Sequence, residues 1–199
     1  MKFMTAYLQK LREIQSQRGF TMIELLIVIS ILGILAVAVL SAINPIEQIN
    51  RGRDTGSRSD AEQLLSATER FNAFQGYYPW QENANDVTGI PQAINPVDDT
   101  WIVPAVAGCT VLQRLSIGDE NIVGCVASQE LKESFVDRLL TSAASRQLYV
   151  YNRGQQGDST YVCFVPQSGA FITEAETRCA AGLPLDLLPE VNNICNGAG

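Results

Sequence analysis

The chain has 199 residues, 46% of them hydrophobic and 18% charged, and a formal net charge of −7, which leaves room for one globular domain, one membrane segment and little more. The absence of histidine excludes histidine-based triads and general bases, and with no CxxC pair among the five cysteines it also removes the usual zinc constellations. The basic residues are few and scattered, so no specific nucleic-acid binding is expected of so acidic a chain.

Residues 1–19 hold Lys2, Lys10, Arg12 and Arg18 against Glu13 alone, whereas Phe20 to Ile43 hold a single charge. Without those first residues, ten basic and twenty acidic side chains remain and the net charge becomes −10. The apolar run from Phe20 to Ile43 would span about 36 Å as a helix, enough to cross a bilayer core about 30 Å thick with some tilt. Glu24, its one charge, would cost about 2.5–3.5 kcal/mol at mid-helix in lipid and less near an end. It either snorkels to the interface from the second turn or has a function. Four basic residues precede the span, but Arg51, Arg53 and Arg58 follow it, so the charge rule favours a cytoplasmic N-terminus only slightly. Ala36-Val37-Ala38 also offers an A-x-A site to ordinary signal peptidase, although Glu24 and the long leader stand against that route.

The order of a basic leader, Arg18-Gly19, Phe20-Thr21-Met22-Ile23-Glu24 and then the apolar run resembles the class III signal of type IV pilins and pseudopilins. The resemblance implies that a membrane aspartyl peptidase, the prepilin peptidase, cuts between Gly19 and Phe20 and N-methylates Phe20. The cut creates an α-amine at a helix N-terminus that already holds unpaired N–H groups and a positive dipole end. In a fibre of parallel helices, Glu24 of one subunit would meet the Phe20 amine of the next. Such a pair sets axial register more than it adds stability, because the cost lies in leaving one member alone. Pro45 has no N–H and constrains Asn44 before it, so a kink or break is expected near residues 41–45. Gly33 is a second weak point. In pilins that this chain resembles, the stretch between such a glycine and proline unwinds on entry into the fibre.

From Ile46 to Gln75 the sequence predicts an amphipathic helix, with Ala61, Leu64, Thr68, Phe71 and Phe74 on one side, Gly52 and Gly56 loosening its start, and Gly76 and Pro79 closing it. Tyr77, Tyr78 and Trp80 read as a hinge into the loops rather than as an aromatic ligand site. A loop-rich stretch follows to Pro104, with a short strand at Ile102–Val103. Thr110–Ile117 and Asn121–Val126 flank Gly118-Asp119-Glu120 and predict a hairpin, which brings Cys109 within reach of Cys125. Leu131–Ala144 predicts a helix. Gln147–Asn152 and Thr160–Val165, around Gly154 to Gly157, give the clearest hairpin, with Phe171–Ile172 as a further short strand.

All five cysteines lie beyond residue 100 and favour disulfides in an oxidising compartment over buried thiols in the cytosol. Pairing Cys179 with Cys195 would resemble the disulfide-bounded C-terminal region of many pilins and would leave Cys163 over. A loop of that size stabilises by about 3 kcal/mol. Asp98-Asp99 and Asp119-Glu120 are candidate calcium ligands only by resemblance to some secretion pseudopilins, which bind calcium in a loop. Neither fits an EF-hand loop, so solvated loop charges are preferred, and no metal or cofactor is expected.

The expected class is α+β: residues 1–19 a cytoplasmic leader that is removed, 20–43 a transmembrane and assembly helix, 44–75 an amphipathic helix on a small antiparallel sheet, and 76–199 an extracytoplasmic head. The first functional reading is a type IV pilus subunit, a non-enzyme, and the chain's length favours it over the shorter major pseudopilins. Its implied partners are copies of itself and other pilins, the prepilin peptidase, an inner-membrane assembly platform and, before assembly, membrane lipid. Alternatives are a pseudopilin of a type II secretion or DNA-uptake (competence) system, a membrane-tethered binding domain that never polymerises, and a secreted enzyme released at Ala38.

Overall fold

A computed structural model describes residues 19–87, 90–104, 106–141, 146–154, 157–187 and 195. The described elements are α1 (Met22–Ala42), α2 (Pro45–Gln75), β1 (Asn95–Pro96), α3 (Val111–Leu115), α4 (Glu133–Leu140), β2 (Leu148–Tyr151), β3 (Tyr161–Phe164) and α5 (Gly169–Ala181). The chain divides into one unit ending at Pro45 and another beginning at Ile46. It is an α+β protein, with a long apolar N-terminal helix, a small three-stranded antiparallel sheet and two disulfides in the C-terminal region.

Helix α1 is apolar on every side and none of its residues is buried. Its 21 residues rise about 32 Å, close to the thickness of a bilayer core. The hydroxyls of Ser30 and Ser41 donate back to the carbonyls of Leu26 and Ala38, at 2.7 and 3.0 Å, so neither is left bare on the apolar surface. The helix runs unbroken through Gly33 and stops at Ala42, with Ile43 extended at φ −101°, ψ 129°. Pro45 then opens α2, where its missing N–H is no loss.

Helix α2 runs through Gly52 and Gly56 without interruption. The expected stripe buries Ala61, Leu64, Thr68 and Phe71, but Phe74 is 80% exposed, because the apolar surface ends one turn earlier. Gly76, at φ +77°, closes the helix, a conformation that glycine adopts without a Cβ penalty. The aromatic segment after it belongs to the core rather than to a hinge. Trp80 is fully buried and stacked on Tyr78 at 4.7 Å. The Arg114 guanidinium lies over Phe71 and Tyr77 and donates to the carbonyls of Pro79 and Gln81 at 3.1 and 2.6 Å, tying the turn to α2 and α3.

The sheet order is β1-β2-β3, with Asn95 opposite Val150 and Leu148 opposite Phe164. The hairpin of β2 and β3 forms as its sequence predicts, and its turn residues Gln155 and Gln156 lie outside the described residues. Leu148 and Val150 are buried in the core, with Val162 and Phe164 packed against it. β1 falls in a stretch expected to be loop. It is two residues long and ends in Pro96, and proline is tolerated at a sheet edge.

Four expected strands are corrected. Ile102 makes only an isolated bridge, to Thr110. The hairpin predicted across residues 110–126 is absent: Thr110 and Gln113 form a capping box that starts α3, and Val111, Leu112 and Leu115 then share its buried face. Beyond it, turns set by Asp119 and by Gly124 at φ +91° replace the second strand. Phe171 and Ile172 lie inside α5, which Ser168 caps. The helix predicted at 131–144 is observed as α4, and residues 142–145 lie outside the described residues.

The disulfides join Cys109 to Cys125 and Cys179 to Cys195, and Cys163 is free. The first bond closes a helix and turns rather than a hairpin, and both of its cysteines are buried in the core.

Candidate functional site

The N-terminal signal surrounds the start of α1. Thr21 is its N-cap, in extended conformation at φ −73°, ψ 149°. The Thr21 hydroxyl accepts from the Glu24 N–H at 3.2 Å. Glu24 Oε2 in turn accepts from the Thr21 N–H at 2.8 Å and from its hydroxyl at 2.7 Å. This reciprocal capping box satisfies N–H groups that a helix start leaves unpaired. Glu24 therefore has a partner within its own chain, and any amine from a neighbour must compete with Thr21. Thr21-x-x-Glu24 is a capping-box sequence ahead of an apolar run, a signal for Thr21 that sits beside the expected roles of Glu24 as a membrane charge and as the partner of the Phe20 amine.

Gly19 and Phe20 precede this cap, and Phe20 is 88% exposed. Among the described residues nothing requires a glycine at position 19. Its φ lies outside the left-handed region, and an added Cβ would meet nothing within 4 Å. A glycine that the backbone does not require is one that another molecule can select. An added Cβ at Gly33 likewise meets nothing within 4 Å, so among the described residues no contact demands that glycine either. Residues 1–18, the rest of the expected leader, lie outside the described residues.

In the head, two of the four candidate calcium-binding acids, Asp98 and Asp119, are engaged in their own turns. Asp98 Oδ1 accepts from the Thr100 N–H at 2.8 Å, and Asp119 Oδ1 from the Asn121 N–H at 3.0 Å. Among the described residues no group of three or more Cys, Asp and Glu stands together. Cys163 is half-buried, and burial pushes its thiol pKa up, which makes it a poor nucleophile.

Sequence reading also missed Asp54, a carboxylate only 2% exposed on α2. It accepts from the Gln167 N–H at 3.1 Å, the Ser168 N–H at 2.8 Å and the Ser168 hydroxyl at 2.7 Å. Glu47 accepts from the Gly169 N–H at 3.2 Å. Two acids of α2 thus hold the N-terminus of α5, where unpaired N–H groups and the helix dipole favour negative charge. A single polar residue far in sequence from its partners gives no periodic signal.

No curated protein and no solved structure matches the chain. Residues 14–40 match the family model of the prokaryotic N-terminal methylation motif, and over those residues the chain carries the class III signal of type IV pilins and pseudopilins.

Proposed function

We propose that the chain is the precursor of a subunit of a type IV pilus. The observation that carries this reading is the position of Gly19, Phe20 and Glu24 at the head of a 21-residue apolar helix with no buried residue. A helix so bare is stable only in lipid or among similar helices. In this reading the prepilin peptidase removes residues 1–19 and methylates Phe20. Helix α1 holds the mature chain in the inner membrane as a single pass, with the head outside the cytoplasm, until an assembly platform passes it into a surface filament. The two disulfides accord with an oxidising compartment. Glu24 exchanges part of its Thr21 capping for the Phe20 amine of a neighbouring subunit, which sets axial register, and the stretch from Gly33 to Pro45 unwinds to fit the filament. The chain acts as a structural element rather than an enzyme.

The test is the mature N-terminus and its location. Mass spectrometry should find a chain beginning at N-methylated Phe20 in sheared surface filaments. A chain beginning at Val39 would instead support release by ordinary signal peptidase, and a processed chain confined to membranes would support a tethered domain. Glu24→Ala should be cleaved and inserted normally yet be depleted from filaments. Normal incorporation would remove Glu24 from the register role. A pseudopilin would carry the same signal, and deletion of the gene would then abolish protein secretion or DNA uptake while leaving surface pili intact.

A further inference from the structure

Helix α5 is 13 residues long, and none of them is buried. Its inner side borders a largely apolar groove of about 880 Å³ shared with β3 and the segment leading to Leu187. Every residue from Tyr161 to Phe164 borders the groove, whichever way its side chain alternates, so the groove follows the edge of the strand. Among the described strands, β3 pairs with β2 alone. On the helix side stand Phe171, Glu174, Ala175 and Arg178, with Arg58 of α2 beside them. Arg58 and Arg178 share the one carboxylate of Glu174, so these three side chains leave one net positive charge at the groove.

Elsewhere on the head, the loop closed by Cys109–Cys125 holds Val123 and Ile117 outward, 98% and 58% exposed, and Val126 just past its closing cysteine is 72% exposed. The loop is fixed. The Ile122 N–H donates to the Asp119 carbonyl, the Cys125 N–H donates to the Ile122 carbonyl, and the disulfide beneath is buried. Asp119 and Glu120 stand beside Val123 and give the loop two negative charges. A preformed apolar projection loses little conformational entropy on docking. Its acids are opposite in sign to the groove, and complementary charge is what steers and orients such contacts. A projection and a groove on different surfaces of one chain give a head-to-tail contact, the kind that propagates as a helical filament when it does not close.

We infer that the Ile117–Val126 loop of one copy of this chain docks in the β3–α5 groove of a second copy, with Val123 in the groove and Asp119 and Glu120 facing Arg58 and Arg178; this rests on the filament reading above. The contact would orient heads, a role separate from the register set by α1.

The test uses the full chain in producing cells, with a photoreactive benzoylphenylalanine in place of Val123 and a mixture of light and heavy isotope-labelled copies. After irradiation, filaments are sheared and the adducts mapped. An adduct joining position 123 of one copy to a peptide spanning 161–166 or 171–178 of another is expected. Arg178→Glu should reduce it about tenfold through like-charge juxtaposition, and Arg178→Glu combined with Asp119→Lys should restore it. Filaments that contain the chain but give no adduct, an adduct on another surface, or an adduct on a different protein would each overturn the docking and leave the filament reading standing. If the chain is absent from filaments, the filament reading fails. The same mapping on membranes then decides the docking by whether the groove adduct forms.

Discussion

Between Glu47 and Arg58, helix α2 meets α5 through side-chain oxygens, an amide and a guanidinium, whereas between Ala61 and Phe71 it meets the core through methyl groups and rings. The residues involved form one stripe. Glu47, Asn50, Asp54, Arg58, Ala61, Leu64, Thr68 and Phe71 follow at three- and four-residue intervals, so one face of one helix changes its chemistry at Arg58. Burial of apolar surface is non-directional and roughly proportional to area, so the core end tolerates small shifts. Polar docking depends on particular atoms. Asp54 accepts from three donors, and the fully buried Ser168 would lose the acceptor of both its N–H and its hydroxyl without it. The core end supplies stability to the head, and the polar end supplies the position of α5.

The largest effect expected from that contrast is at the core end. Phe71→Ala should cost about 3–5 kcal/mol, because the ring is 3% exposed, meets Tyr77 edge-on at 5.8 Å and lies under the Arg114 guanidinium. Urea unfolding of the detergent-extracted chain, followed by the fluorescence of buried Trp80 and Trp101, measures it. A loss below about 1 kcal/mol would mean that the core does not depend on this face of α2. Asp54→Ala should cost less, about 2 kcal/mol, as lost capping plus orphaned donors. Its effect should also be local. Amide hydrogen exchange should speed up at the start of α5, from Ser168 to Ile172, while Leu148–Tyr151 stay as protected as before. Equal loss of protection in both segments would show that the two ends of α2 are not separable.

The same contrast governs what could be read from sequence. The apolar half of the stripe was legible down to Phe71, because hydrophobic periodicity registers only residues that gain by leaving water. The polar half has the same period but exposed-type residues, and its partners lie more than 110 positions away, so α5 was read as a short strand at Phe171–Ile172. The signal at Gly19 to Glu24 was legible because its meaning rests on spacing within five residues. The helix at Val111–Leu115 was misread for the opposite reason. Its residues have strand-like composition, and the Thr110–Gln113 capping box that decides the matter is a single pair of side chains. The pairing of Cys109 with Cys125 was reached through that mistaken hairpin, since a helix followed by turns returns the chain to the same place.

Acid should separate the two ends of α2 more gently than either substitution. Hydrogen bonding to Arg58, with help from Arg178, holds the Glu174 carboxyl below its ordinary value of 4.5. Its contribution to stability is therefore present above the unfolded value and is lost as pH falls through the lower folded value. On the core half of α2 the sign reverses. Burial raises the pKa of Asp60 against the pull of Arg138 and Arg146, and burial raises Glu69 as well, so protonation there relieves a cost of burial that outweighs the Asp60–Arg138 pair it weakens. Lowering the pH from about 6 to about 3 should therefore loosen α5 from α2 while the core packing of Leu64 and Phe71 persists. The effect is the smallest of the three, because Arg58 and Glu174 are each 39% exposed and water and salt screen the pair. Hydrogen exchange corrected for intrinsic rates should show faster opening at Gly169–Glu174 in acid with little change at Leu148–Tyr151. Arg58→Met, which keeps an apolar stem but removes the cation, should move the neutral-pH exchange of α5 toward its acid value. Uniform acceleration across the head, or no change at α5, would place its anchorage outside the charge pairs and leave Asp54 as its principal polar tether.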